Sequence, residues 1–149
     1  MHLLHNGFET SSCAGVTVGI SIYRQPLQWI QEAVESVRSQ SFENWVLFIR
    51  LDGRDAITLD GHRWLANVTK NDPRVFILYG DSNLGTFGSY RQLFSQCESK
   101  YLVQLDSDDR LNIDALRLSV GLLEKYPESP FFYSQCKLIN ELGSDIELD

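Results

Sequence analysis

Three carboxylates within four residues, Asp106, Asp108 and Asp109, follow the run Tyr101-Leu102-Val103-Gln104-Leu105, with Ser107 between the first two. So dense a cluster repels itself unless water and salt screen it or a divalent cation binds it. A hard ion such as Mg²⁺ or Mn²⁺ prefers oxygen ligands and keeps positions open for water or phosphate oxygens. The bland alternative is a solvated acidic turn ahead of a helix, where carboxylates favour the N-terminal dipole. Asp-x-Asp alone is common, but behind an apolar strand the cluster reads as a metal-assisted nucleotide-diphosphate site. Asp106, Asp108 and Asp109 read as its metal ligands, with Asp109 either supplying a second ligand or capping the following turn. In an extended chain Asp106 and Asp108 share one side and could face one ion, or one ribose and one ion.

Other residues could serve the same site. Asp52, followed by Gly53, suits a base N–H or a ribose hydroxyl, although Asp-Gly turns are frequent. Tyr23 could stack on a base and Ser21 could offer a hydroxyl. With Asp106 and Ser107 they make the nucleotide-binding set. Arg54, Arg91 and Arg110 are candidate diphosphate partners, since guanidinium forks match phosphate oxygens, though most surface arginines are simply solvated. His2, His5 and His62 are scattered, without a paired carboxylate or cysteine. No Gly-x-Ser-x-Gly elbow, P-loop or Gly-x-Gly-x-x-Gly follows a strand, which counts against a hydrolase, a P-loop NTPase and a classical dehydrogenase.

These residues need elements to bring them together. Residues 16–23 form a β-branched first strand, and Pro26 suits the first turn of a helix. Leu27, Ile30, Val34 and Val37 give that helix one apolar stripe. Residues 44–51 form a second strand closed by Asp52-Gly53-Arg54-Asp55, and residues 62–70 a second helix. Asp72-Pro73 precedes a third strand at 74–79, then come a loop at 80–85 and a helix from Gly85 to Glu98, with Cys97 on its core face. A fourth strand spans 101–105. Asn112 caps a helix striped by Ile113, Leu116, Val120 and Leu123, and residues 131–139 make a fifth strand. Alternation of this kind implies an α/β domain with a mostly parallel sheet flanked by helices. In such sheets ligands bind at the carboxyl ends of strands. If strands two, one and four are neighbours, Asp52, Ser21, Tyr23 and the acidic cluster converge on one cleft.

Bulk properties narrow the classes. The chain has 149 residues and 43% hydrophobic content, enough for one core. Residues 1–15 read as a flexible leader rather than a signal peptide, 16–139 as the domain and 140–149 as a polar tail. No apolar run reaches the ~18 residues of a membrane span. Three cysteines without close spacing argue against a disulfide framework or a Cys-rich zinc site and for a cytoplasmic setting. A net charge of −7 disfavours nucleic acid as a partner, while a metal can still bridge an acidic protein to a nucleotide diphosphate.

In this order the landmarks resemble the Rossmann-like nucleotide-binding portion of family 2 glycosyltransferases, which have the GT-A fold. Ser21-Ile22-Tyr23-Arg24 stands where the family has a Pro-Thr-Tyr-Asn-like tetrapeptide, and Ser36-Val37-Arg38-Ser39-Gln40 matches its Ser-x-x-x-Gln pattern. Leu51-Asp52-Gly53-Arg54 stands at its Asp-Asp-Gly-Ser, Asn83-Leu84-Gly85 at its Asn-x-Gly, and Asp106-Ser107-Asp108-Asp109 at its Asp-x-Asp-Asp. The resemblance covers about residues 16 to 139. It implies that Asp52 contacts the base, Tyr23 and Ser21 line the nucleotide pocket, Asp106 approaches the ribose, and Asp108 with Asp109 holds Mg²⁺ or Mn²⁺. It also implies inverting transfer from a nucleotide-sugar donor, UDP-linked in this reading, to a glycan or lipid-linked acceptor, at the inner face of the membrane without stable insertion.

Three departures stand out. Leu51 replaces the first paired aspartate, Arg54 the usual serine, and Tyr90 the arginine of the family's Ala-Arg-Asn. The chain also reads as truncated, because the family's acceptor-binding half and its catalytic base normally follow the fifth strand, and Glu141, Asp145, Glu147 and Asp149 lack the context of a base. A nucleotide-sugar-binding module without transfer activity is therefore the second reading. A nucleotidyltransferase is the third, disfavoured because Arg24-Gln25-Pro26 is not a Gly-rich phosphate loop. An exposed sheet edge in such a half-domain would favour a homodimer.

Overall fold

The computed structural model describes residues 14–95 and 97–146. Most of the expected leader and the end of the tail lie outside these. The elements run β1 (Val16–Ile22), α1 (Leu27–Arg38), β2 (Trp45–Leu51), α2 (Leu59–Asn71), β3 (Val75–Tyr79), α3 (Gly85–Phe94), β4 (Tyr101–Asp106) and α4 (Ala115–Lys125). The four strands form one sheet in the order β3-β2-β1-β4, and every pairing is parallel. Strands two, one and four are therefore neighbours, as the convergence of the site requires. The sheet and helices of the GT-A expectation are present. No helix among the described residues is long and apolar enough to cross a membrane.

Both faces of β1 are covered, and apolar residues on one face alternate with Thr17, Gly19 and Ser21 on the other. Val16, Val18, Ile20 and Ile22 are fully buried on one face. On the other face Phe48, Leu78, Tyr90 and Leu93 form a cluster joined by Val46, Phe76, Phe94 and Cys97. The Phe48 and Phe76 rings stack at 5.2 Å. Gly19 lets α3 approach this closely, because a Cβ there would sit 3.0 Å from the Phe94 ring. Helix α1 buries Ile30, Ala33, Val34 and Val37, one turn of the expected stripe being only half-covered at Leu27.

Several boundaries differ from expectation for local reasons. Helix α2 starts at Leu59 rather than near His62, because the Thr58 hydroxyl accepts from the Gly61 amide at 3.2 Å and caps it. Helix α3 stops at Phe94, so Cys97 lies beyond it, though its thiol still reaches the Leu93 carbonyl at 3.3 Å. Burial raises the Cys97 pKa, with Thr17 opposing, which suits a packed thiol. Asn112 caps a turn ahead of α4, its side chain accepting from the Asp114 amide at 3.1 Å, and the helix proper begins at Ala115.

Residues from Ser119 onward form a second compact unit. The expected fifth strand at 131–139 is not formed there. Phe131 and Tyr133 are exposed, and among the described residues the run has no ladder partner beyond one antiparallel bridge between Ile139 and Asp145. Apolar, β-favouring residues do not make a strand without a neighbour to take their backbone groups. Asn140 instead organises a turn, its side chain accepting from the Leu142 and Ser144 amides, with Gly143 in the left-handed region at φ 77°.

The start of β3 is anchored by Asp72. Arg74 donates to both Asp72 oxygens at 3.0 Å, and Arg38 Nε reaches across at 3.4 Å. Burial works against the Asp72 charge, but these hydrogen bonds outweigh it and hold the pKa below its ordinary value. A lowered carboxylate pKa gives stability that is present above the unfolded value of about 3.9 and is lost as pH falls through the folded value. Asp72→Asn should cost about 1–2 kcal/mol at pH 7, with the gap from wild type closing below about pH 4. Urea unfolding at pH 7 and pH 3 checks this, and an equal gap at both would contradict it.

Candidate functional site

The parallel register decides what meets at the carboxyl ends of the strands. Ser21 of β1 is paired with Arg50 on β2 and with Asp106 on β4. Paired residues in adjacent strands point to the same face, so a hydroxyl, a guanidinium and a carboxylate lie side by side. Here the chain opens into a cleft of about 270 Å³. Ser21, Tyr23, Asp52, Asp106, Ser107 and Asp108 line it, with Gln25, the loop residue Asn83, and Gly85, Thr86 and Tyr90 of α3.

Asp52 is 2% exposed. Its Oδ1 accepts from Arg50 Nη1 and from the Leu84 amide at 2.8 Å. Arg50 is equally buried, and α3 holds it: Nε donates to Gln92 Oε1 at 2.7 Å and Nη1 to Ser89 Oγ at 3.2 Å. Gly80 closes over the guanidinium, since a Cβ there would come within 2.6 Å of Arg50 Nη2 and 2.7 Å of the Leu51 carbonyl. The loop that follows is set by Asn83, whose side chain accepts from the Gly85 amide at 2.7 Å, and by Gly85 at φ 69°.

Tyr90 does for Asp106 what Arg50 does for Asp52. Its hydroxyl lies 2.7 Å from the Leu105 carbonyl and 3.0 Å from Asp106 Oδ1. Burial, then the Asp106 charge, raises the phenol pKa, so it stays a neutral donor. The chain leaves the extended conformation at Asp106, turning so that the Asp109 amide donates to the Asp106 carbonyl at 3.0 Å. The extended arrangement expected for Asp106 and Asp108 is thus replaced by a turn. Asp106, Ser107 and Asp108 still face the cleft. Asp109 is exposed and does not line it. Loss of solvent, followed by the Asp108 and Asp106 charges, raises the Asp109 pKa.

Ser107 is 1% exposed, and its hydroxyl has no hydrogen-bond partner. A buried hydroxyl without a partner, on a residue that lines the cleft, calls for a polar partner such as a ligand oxygen or water. Among the described residues no three His, Cys, Asp or Glu side chains form a cage for a metal. Two carboxylates with free positions for phosphate oxygens and water are what Mg²⁺ or Mn²⁺ takes at a nucleotide, so Asp106 and Asp108 fit that ion without a third acid.

The candidate phosphate arginines do not gather here. Arg54 pairs with Asp81 and Arg110 with Glu32, Arg91 is exposed on α3, and none lines the cleft. Tyr23 is 36% exposed at the rim, with the Arg24 guanidinium 5.1 Å from its ring centroid. The residues missed from sequence are Arg50, Tyr90 as a partner of Asp106, Gln25 and Thr86. Arg50 had a visible signal: a charge inside an apolar strand, two residues before Asp52 and therefore on its side of the pleat.

Solved structures share this architecture. A mannosyltransferase from Pyrobaculum calidifontis, in complex with GDP-Man and Mn²⁺, superposes with a TM-score of 0.64 at 15% identity, over 76% of this chain and 33% of that one. Residues 1–349 of TarS from S. aureus, in complex with UDP-GlcNAc, give 0.63 at 19%, over 75% and 32%. The fold is the GT-A fold of glycosyltransferases. An uncharacterized glycosyltransferase of Rickettsia felis is 30% identical over 134 residues, 89% of this chain and 21% of its own length. The glycosyl transferase family 2 profile matches residues 17–137, and the chain belongs to that family. It spans 14 to 44% of the length of the curated relatives it matches.

Tyr90→Phe removes the hydroxyl shared by the Leu105 carbonyl and Asp106. The expected loss is about 1 kcal/mol of stability, measured as a lower urea midpoint with an unchanged slope. An unshifted midpoint would mean that the phenol contributes nothing to the end of β4.

Proposed function

We propose that this chain is the donor-binding part of an inverting, metal-dependent glycosyltransferase that takes a sugar from a nucleotide-diphosphate donor, UDP-linked in the first instance. A glycan or lipid-linked molecule would be the acceptor. The observation that carries the reading is the meeting of Asp52, Ser21 and the Asp106–Asp108 turn in one cleft at the ends of three adjacent parallel strands. Similar folds solved with UDP-GlcNAc and with GDP-Man and Mn²⁺ support it.

Each group has a part. Asp52, buried and hydrogen-bonded, offers an acceptor to the base, while Tyr23 at the rim offers a ring face. Ser21 and Asp106 face the ribose, and the unpartnered Ser107 hydroxyl is available to a ligand oxygen. Asp106 and Asp108 would hold Mg²⁺ or Mn²⁺ at the diphosphate. The bound ion would supply positive charge for the departing nucleotide diphosphate, so that no protein acid is needed there. Among the described residues the cleft is lined by no acid other than Asp52, Asp106 and Asp108, which take these parts. That observation favours a second reading, a module that binds donor without transferring it.

Calorimetric titration with UDP and GDP, with and without Mn²⁺, tests the donor site. The expected result is binding that requires Mn²⁺ and falls at least about tenfold in Asp108→Ala, with the thermal midpoint within a few degrees of wild type. Weak binding that ignores both the metal and the substitution would overturn it. Release of free sugar from a nucleotide sugar by this chain alone would separate the enzyme from the binding module.

A further inference from the structure

We infer that Arg50 is a positioning residue that sets which base the cleft accepts, acting through Asp52; the inference rests on the donor-site reading above. The two side chains are each 2% exposed, and removing two charges from water costs more than apolar packing of the same volume would. The pair is nevertheless built with care. Arg50 is tied at Nη1 to Asp52 and Ser89 and at Nε to Gln92, the last two residues belonging to α3. Gly80 makes room for the guanidinium in this place, since a Cβ there would come within 2.6 Å of Arg50 Nη2. Asp52 is in turn held by the Leu84 amide, and both of its protein hydrogen bonds fall on Oδ1. The other oxygen, Oδ2, is left as the acceptor that Asp52 brings to the cleft it lines.

A fixed carboxylate whose charge is balanced from behind demands a donor from its ligand. Uracil presents a ring N3–H, and guanine a ring N1–H with its 2-amino group. Cytosine has an unprotonated nitrogen at that ring position, an acceptor set against an acceptor. A buried polar group left without its partner is where discrimination between otherwise similar ligands becomes large. Arg50 would therefore select UDP over CDP without touching either, by preventing Asp52 from turning or exchanging its oxygens.

The test is titration of UDP and CDP, with Mn²⁺, into the whole chain and into Arg50→Met, Asp52→Asn and the double variant, with thermal melts alongside. Wild type should prefer UDP by at least about tenfold. Arg50→Met should bring the ratio to within about threefold of unity, and in the Asp52→Asn background Arg50→Met should lower it no further. A purely structural arginine would weaken both nucleotides alike and leave the ratio at its wild-type value, which overturns the inference. Should Arg50→Met fail to fold, Arg50→Lys decides. An ammonium balances the charge but cannot hold Asp52, Gln92 and Ser89 together, so the ratio should fall severalfold, and a wild-type ratio overturns the inference. Wild type binding UDP and CDP equally removes the Arg50 inference alone, whereas wild type binding no nucleotide removes the donor-site reading and this one with it.

Discussion

The alignment of Ser21 with Arg50 on one side and Asp106 on the other is the constraint on which the rest depends. Side chains alternate along a strand, so a slip of one residue in either pairing would turn a whole set to the opposite face of the sheet. The apolar residues of β1 prevent it. Val16, Val18, Ile20 and Ile22 must stay on their buried face, which leaves Thr17, Gly19 and Ser21 for the face covered by α3. The hydrophobic core and the polar site are thus fixed by one alternation, and α3 supplies partners to both.

The two ends of the cleft solve the problem of negative charge differently. Asp52 is out of water and is balanced by a buried guanidinium and a backbone amide. Asp106 has a neutral phenol as partner, and Asp108 faces solvent, so this end keeps an excess of negative charge. A buried, pre-oriented carboxylate suits recognition of a neutral ring by hydrogen bonding. An uncompensated and open one suits a cation arriving with its own oxygen ligands. Burial separates two chemistries that the same residue type could otherwise perform interchangeably.

The α/β alternation, the four strands and the meeting of Asp52, Ser21 and the acidic turn were legible because they follow from periodicity and from the rule that parallel strands end at the site. The run 131–139 was misleading because β-favouring composition says nothing about whether a neighbouring strand exists to pair with it. The part of Asp109 depended on how the chain turns after Asp106, which composition does not specify. Arg50 gave no signal as a phosphate partner, and of the three arginines that did, Arg54 and Arg110 are paired away from the cleft and Arg91 is exposed on α3. A single sequence shows an arginine inside a strand, but only the packing of α3 and Gly80 shows why it can stay there.

Gly80 carries a consequence for how such a sequence can change over time. Any side chain at position 80 would collide with Arg50 and with the Leu51 carbonyl at the same moment. Shortening residue 50 would relieve only the first of these contacts, because the Leu51 carbonyl stays in place, and it would leave the Asp52 charge without its balance. Positions 50, 52, 80, 89 and 92 can therefore not drift independently. They form a set of five linked through Arg50, spread over residues 50 to 92, and one of them has no side chain at all.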